Sequence, residues 1–258
     1  MKISIITATW NSEATVRDTF ESVLHQTFQD IEYVIIDGQS TDNTLQIIKE
    51  YEPKFNGKLH YISEPDKGIY DAMNKGLNVA TGDIVGILNS DDFYYDSNVL
   101  MRIAAAFSSN NIDCVYGDLQ FVDRQDTNKV VRTWIGSQYK PKAFLRGWHP
   151  AHPTFYVKKE CIHTLGGFDL SFDVSADFEL MLRYIEKNQI TSLYIHHYFV
   201  KMRMGGESTG SISSIIKGNK NILRAFEKNG FKIPPFYLLR RLAPKVKNLI
   251  KTKINPYI

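Results

Sequence analysis

Alternating short β-branched runs and longer helically spaced segments fill the first hundred residues, and this constrains the fold more than any other feature. Residues 2–9 form the first β-branched run and stop at Trp10-Asn11-Ser12. Residues 13–26 carry Val16, Phe20, Val23 and Leu24 at helical spacing. A second apolar run at 33–36 stops at Asp37-Gly38, and Thr41 or Asp42 can cap a helix through Tyr51. Strand at 59–62, helix at 69–79 and strand at 84–88 continue the alternation. Strands separated by helices imply an α/β fold: a parallel sheet with right-handed crossovers and helices on its faces. Ligands of such sheets sit outside the carboxyl ends of the strands.

The later part is less regular. Strands are expected at 114–119, 130–134, 154–157 and 193–204, with 123–128 as a polar turn and a helix at 176–187. No Pro/Gly-rich linker precedes residue 205, so residues 1–92 and 93–211 are expected to share one continuous core as the two halves of one domain, 1–211. Residues 212–258 differ in composition. They hold eleven Lys/Arg against one acid, Glu227, whereas the remainder holds 20 basic and 27 acidic side chains. Leu239, Leu242, Val246, Leu249 and Ile250 recur there at near-helical spacing among lysines and arginines, with Pro244 interrupting. A basic amphipathic tail suits an anionic membrane surface, and a solvated helix packed on the domain is the alternative. Nucleic acid is not expected as a partner, because the body lacks an aromatic-and-basic platform.

Other classes are disfavoured. No apolar run approaches the ~18 residues of a membrane span, and the N-terminus lacks the h-region of a signal peptide. Cys114 and Cys161 make neither a disulfide framework nor a C-x-x-C pair, so two reduced cysteines in a cytoplasmic protein are expected. Neither a G-x-G-x-x-G fingerprint nor a P-loop is present.

The strand ends carry the candidate chemistry. The first ends at Thr7-Ala8-Thr9, the second at Asp37, and the fourth at Asn89-Ser90-Asp91-Asp92. Each acid alone reads as a turn former or cap. Gathered on one sheet edge, they need a cation or hydrogen-bond donors to offset their repulsion. Adjacent carboxylates after a buried strand suit Mg²⁺ or Mn²⁺, which takes its other ligands from phosphates and water, and so point to a nucleotide diphosphate.

These runs, with Asp66-Lys67-Gly68-Ile69-Tyr70-Asp71-Ala72-Met73-Asn74-Lys75-Gly76, Gly166-Gly167-Phe168-Asp169 and Ala176-Asp177-Phe178-Glu179-Leu180, resemble the family 2 glycosyltransferases of GT-A fold over about residues 2–210. One departure is Asp37-Gly38, where many members carry two acids. The resemblance implies a Rossmann-like nucleotide-binding sheet fused to a smaller mixed acceptor-side half with a helical tail. It implies inverting sugar transfer from a nucleotide-sugar, most often UDP-linked, to a glycan or lipid-linked hydroxyl, in cell-surface polysaccharide synthesis at the inner membrane face. Thr9 and Asp37 would contact the base, Asp91 would lie near ribose and metal, and Asp92 would ligate the metal. Asp71 and Asn74 lie where relatives contact donor groups, although Asp71 reads equally as a polar helix face, and Lys67 reads as a surface charge. Asp177 inherits the general-base position, with Asp173 a weaker contender, and Glu179 points away from it on a helix. His152 would line the acceptor cleft or pack, and His197 would approach the metal or diphosphate. Arg203 would neutralise a phosphate or pair with an acid. The rivals are a sugar-phosphate nucleotidyltransferase and a non-catalytic glycan-binding module. Sugar, acceptor, linkage and oligomeric state are not encoded in these motifs.

Overall fold

A computed structural model describes residues 1–205, 212–239 and 241. Strand β1 (Ile3–Thr9) leads through helix α1 (Val16–Leu24) to β2 (Ile31–Asp37), then α2 (Thr44–Tyr51), β3 (Leu59–Ser63), α3 (Ile69–Val79) and β4 (Ile84–Ile87). These strands pair in parallel in the order β3-β2-β1-β4, as the alternation predicts. Every residue of β2 is buried, because helices cover both faces. Ile3, Ile5, Tyr33 and Ile35 pack with α1 and α2, whereas Ile6, Val34 and Ile36 pack with α3. Gly76 of α3 lets helix and sheet approach closely, since a Cβ there would overlap Ile6.

The second half continues with β5 (Phe93–Tyr94), α4 (Val99–Ser109), β6 (Cys114–Val122), β7 (Val130–Trp134), β8 (Tyr156–Lys158), α5 (Lys159–Leu165), α6 (Ala176–Met181) and β9 (Ser192–Arg203). One sheet runs through both halves in the order β3-β2-β1-β4-β8-β6-β9-β5, with β7 paired to β6. Helix α7 (Ile212–Lys228) follows, and its Ile222, Ala225 and Phe226 are buried in the α6 core. The Phe226 ring lies 5.6 Å from Phe178 and 4.9 Å from Tyr237. The rest of the expected amphipathic tail, residues 240 and 242–258, lies outside the described residues.

Several boundaries differ from expectation for local reasons. The strand expected from 154 starts at Tyr156, because His152–Thr154 form a 3-10 turn in which the Thr154 hydroxyl bonds the carbonyls of Ala151 and Gly117. The helix expected over 176–187 is α-helical only to Met181, and Leu182–Lys187 continue as a π-helical turn. Helix α4 was not expected, although Val99, Leu100, Ile103, Ala104 and Phe107 form its buried stripe.

Candidate active site

Topology brings the candidate residues to one edge. The carboxyl ends of β1, β2 and β4 coincide because these strands are parallel, and the order turns back on either side of β1. Strand β8 runs antiparallel to β4, with Gly86 opposite Tyr156, so the His152–Thr154 turn just before β8 lies beyond the carboxyl end of β4. Helix α3 begins at the same edge, since it follows the carboxyl end of β3.

At the end of β2, Asp37 is fully buried and its oxygens are held by donors. Oδ1 accepts from the hydroxyls of Thr9 (3.1 Å) and Ser40 (2.5 Å), and Oδ2 from the Ser40 amide (3.1 Å) and the Ser63 hydroxyl (2.7 Å). Trp10 stands beside it with 65% of its surface exposed, an unusual placement for an indole. Gly38 explains the missing second acid. A Cβ there would fall on the Asp66 carboxylate, so a carboxylate from the loop before α3 occupies the space of a side chain at 38. Asp66 itself accepts the Gly68 amide (2.8 Å).

Beyond β4, Asp92 is fully buried. Its Oδ2 accepts from the Asn89 amide (2.9 Å), its carbonyl accepts the Thr19 hydroxyl (2.7 Å), and its Oδ1 has no partner. Burial, then the charge of Asp91, pushes the Asp92 carboxyl well above the usual carboxylate range. Asp91 is pushed up by burial, against the opposing fields of Arg124 and Arg203. A buried carboxylate oxygen lacking a donor fits a cation. Among the described residues no three His, Cys, Asp or Glu side chains cluster as a protein-only metal cage. Two carboxylates completed by phosphates and water remain the fitting arrangement.

Arg203, 4% exposed, donates to the Asp91 carbonyl (2.7 Å), pairs with Asp18 and lies over the Phe93 ring. Of its two expected roles, the structure shows the pairing. His197 is corrected. Its Nε2 meets Asp96 at 2.8 Å and its ring meets Tyr95, not the Asp91-Asp92 pair. The register explains the miss: Phe93 is opposite Lys201 and Tyr94 opposite Val200. His197 therefore lies about five residues along β9 from the level of Asp92.

Asp177 opens α6 after Ser175, which adopts a left-handed φ of 66°. The Tyr70 hydroxyl of α3 donates to Asp177 Oδ1 at 3.2 Å. Burial and the Asp177 charge hold the Tyr70 phenol well above its ordinary range. His152 packs edge-on against Phe168 at 5.6 Å, and Phe168 also meets Tyr70 at 5.4 Å. Burial pushes the His152 imidazole down, against the opposing charge of Asp177. Asp177 and His152 are thus neighbours at the edge that carries Asp91 and Asp92.

Other candidates have structural partners. The Asn74 amide donates to the Phe168 carbonyl and its oxygen accepts the Phe168 amide, both at 2.8 Å. Asn74, expected to contact the donor, thus has its polar atoms engaged in clamping the Gly166-to-Asp169 loop. Asp71 accepts the Lys67 amide (2.9 Å) and is 3.9 Å from Lys75, and the Lys67 side chain is exposed. Glu179 is buried against Arg183 and Asn229, pointing away from Asp177 as expected. Asp173 pairs with Lys217 and accepts from Asn221 (3.0 Å), both of α7. Sequence reasoning missed Tyr70 as a partner of Asp177. The residue lay inside a quoted motif, but its acceptor is 107 positions away.

The family model described as Glycosyl transferase family 2 matches residues 4–165. The chain belongs to that family. A PGL/p-HBAD biosynthesis glycosyltransferase of Mycobacterium bovis is 32% identical over 194 residues, covering 75% of this chain and 73% of the relative. The structure of S. aureus TarS 1-349 in complex with UDP-GlcNAc superposes with a TM-score of 0.67 at 19% identity, covering 94% of this chain and 73% of that one. The mannosyltransferase PcManGT from Pyrobaculum calidifontis, in complex with GDP-Man and Mn2+, gives 0.65 at 18% identity, covering 98% and 75%. This chain spans 44% of the longer TarS structure. The structural likenesses show a shared GT-A fold, and this family 2 chain is a glycosyltransferase. Family membership favours sugar transfer over nucleotidyl transfer or glycan binding alone.

Proposed function

We propose that this family 2 glycosyltransferase transfers a sugar, with inversion, from a UDP-linked donor to a hydroxyl of a glycan or lipid-linked acceptor in cell-surface polysaccharide synthesis. The observation that carries the reading is the placement of Asp177 and Asp92 at one sheet edge, with Asp92 Oδ1 buried and unpartnered. Thr9 and Asp37, beside exposed Trp10, are the base-facing residues, and Asp37 would accept from the base's ring N–H in exchange for one of the four donors it holds. Asp91 and Asp92 are the residues that would hold a divalent cation, and its chemistry when bound is neutralisation of charge on the leaving diphosphate. Arg203 braces the Asp91 backbone so that both carboxylates stay at the edge. Asp177 takes the proton of the acceptor hydroxyl as the new bond to the anomeric carbon forms. Tyr70 orients that carboxylate, and His152 lines the acceptor side. A lipid-linked acceptor is consistent with a peripheral position on the cytoplasmic membrane face through the basic residues after 239. No helix among the described residues is long and apolar enough to cross a membrane.

The test is a thermal-shift screen of nucleotide sugars with and without Mn²⁺, followed by transfer assays of Asp177→Asn. Cation-dependent stabilisation by a UDP-sugar is expected, with a rate loss of about 10²–10⁴ in the variant. Equal stabilisation after chelation, or an unchanged rate, removes the reading.

A further inference from the structure

Among the described residues only three buried side-chain polar atoms lack a hydrogen-bond partner: Asp92 Oδ1, the Tyr237 hydroxyl and Arg241 Nε. The first marks the proposed cation site. The other two lie together on the segment after α7, beyond the part of the chain that the family pattern matches. Buried polar groups are almost always satisfied, so an orphaned pair calls for an explanation.

The segment is firmly seated. Tyr237 is 2% exposed, stacked edge-on against Phe226 of α7, and Phe226 in turn packs on Phe178, the neighbour of Asp177. The Arg241 backbone passes so close to Gly147 that a Cβ there would lie 2.8 Å from the Arg241 Cα. Gly147 has φ 93°, so the turn at 144–147 both needs glycine and makes room for the segment. Arg241 Nη1 donates to Asn219 Oδ1 of α7 at 2.9 Å. That bond is to a neutral amide, and it leaves the buried Nε without an acceptor. Phe144 of the 144–147 turn lies 5.7 Å from Phe178, as Phe226 does at 5.6 Å, so the segment carrying Tyr237 and Arg241 adjoins the start of α6, where Asp177 sits.

We propose that the Tyr237 hydroxyl and Arg241 Nε form a donor pair beside Asp177 that binds an anionic oxygen group, phosphate or carboxylate, of the acceptor. This rests on Asp177 facing the acceptor, as argued under Proposed function. Both groups are donors left without an acceptor, and a planar guanidinium matches the oxygens of either anion. The subsite selects acceptors in which a charged group lies close to the hydroxyl that receives the sugar. A lipid-carrier phosphate and a uronic-acid carboxylate are the two sources of that chemistry.

Calorimetric titration of the full chain with dodecyl phosphate and methyl glucuronide, against dodecyl glucoside and methyl glucoside, separates the sources. One charged probe is expected to bind more tightly than its neutral counterpart. Arg241→Gln is expected to weaken it tenfold or more, and Tyr237→Phe several-fold, with both neutral probes unchanged. Tyr237→Phe keeps the ring packing and removes only an orphaned hydroxyl, so its melting temperature should equal or exceed that of the parent, unlike a structural lesion. Arg241→Lys, which keeps the charge but lacks the Nε–H, should bind as weakly as Arg241→Gln. Charged and neutral probes binding alike, or charged-probe affinity unchanged in both Tyr237→Phe and Arg241→Lys, overturns the proposal. UDP-sugar stabilisation measured on the same samples reports the general reading separately. Its absence with an intact Arg241-dependent probe affinity refutes the donor assignment and leaves the anion subsite standing.

Discussion

Asp92 and His152 show how single side chains are set by what surrounds them. An ionised Asp92 is disfavoured by burial and by Asp91, so its charge opposes folding above the ordinary carboxylate range. Asp92→Asn keeps the shape and the Asn89 contact site but removes the charge. The variant is expected to melt at least ~2 °C higher at neutral pH and to lose all Mn²⁺-dependent stabilisation by a UDP-sugar, both read by thermal shift. For His152 the sign is reversed. Its folded pKa lies below its unfolded value near ~6.5, so its contribution is present above about pH 6.5 and is lost as pH falls through the depressed value. His152→Asn should flatten that acid limb in a plot of melting temperature against pH, and an unchanged limb would assign it elsewhere. Much of this scale is legible in sequence: Thr9 and Asp37 end β1 and β2, and Asp91 and Asp92 lie in the turn between β4 and β5. The partners that decide their chemistry were not legible. Ser63 and Thr9 reach Asp37 from 26 and 28 positions away, and Tyr70 reaches Asp177 across 107.

Elements converge on the loop between α5 and α6. Asn74 of α3 clamps Phe168, while Arg183 of the π-helical turn donates to the carbonyls of Leu165, Gly166 and Gly167. Phe168 is thereby fixed between Tyr70 and His152, the two residues next to Asp177. Asn74→Ala should destabilise the fold by about 1–3 kcal/mol, since it leaves a backbone amide and carbonyl unpaired. Its kcat should fall while the donor KM stays unchanged. A raised donor KM with unchanged kcat would restore the donor contact expected from sequence. Element types in residues 1–88 were readable because buried parallel strands and amphipathic helices differ in period. In β9 periodicity gave a strand but not its phase along the partner, which is why His197 was placed near Asp92 and lies near Asp96 instead.

At the scale of the molecule, charge is divided between an acidic body and a basic C-terminal region, but part of that region is already neutralised. Lys217 and Lys228 of α7 pair with Asp173 and Asp169, and Arg224 donates to the Ser171 carbonyl. The rest of the field should therefore come from Lys220, Arg224, Lys232 and the basic residues after 239. Replacing Lys245, Lys247, Lys251 and Lys253 by Gln is expected to abolish co-sedimentation with phosphatidylglycerol vesicles, at roughly 1 kcal/mol per charge. Lys217→Gln with Lys228→Gln should leave it intact, and equal binding to phosphatidylcholine vesicles would exclude a surface-charge mechanism. The close approach of Gly38 and Asp66 has a further consequence for how such a pocket changes over generations. The two positions share room for one acid, so Gly38→Asp should abolish nucleotide-sugar stabilisation and Asp66→Gly introduced alongside should restore it. The two loops then form a single inherited unit, and any path that moves the acid from one to the other must pass through a pocket that briefly holds neither.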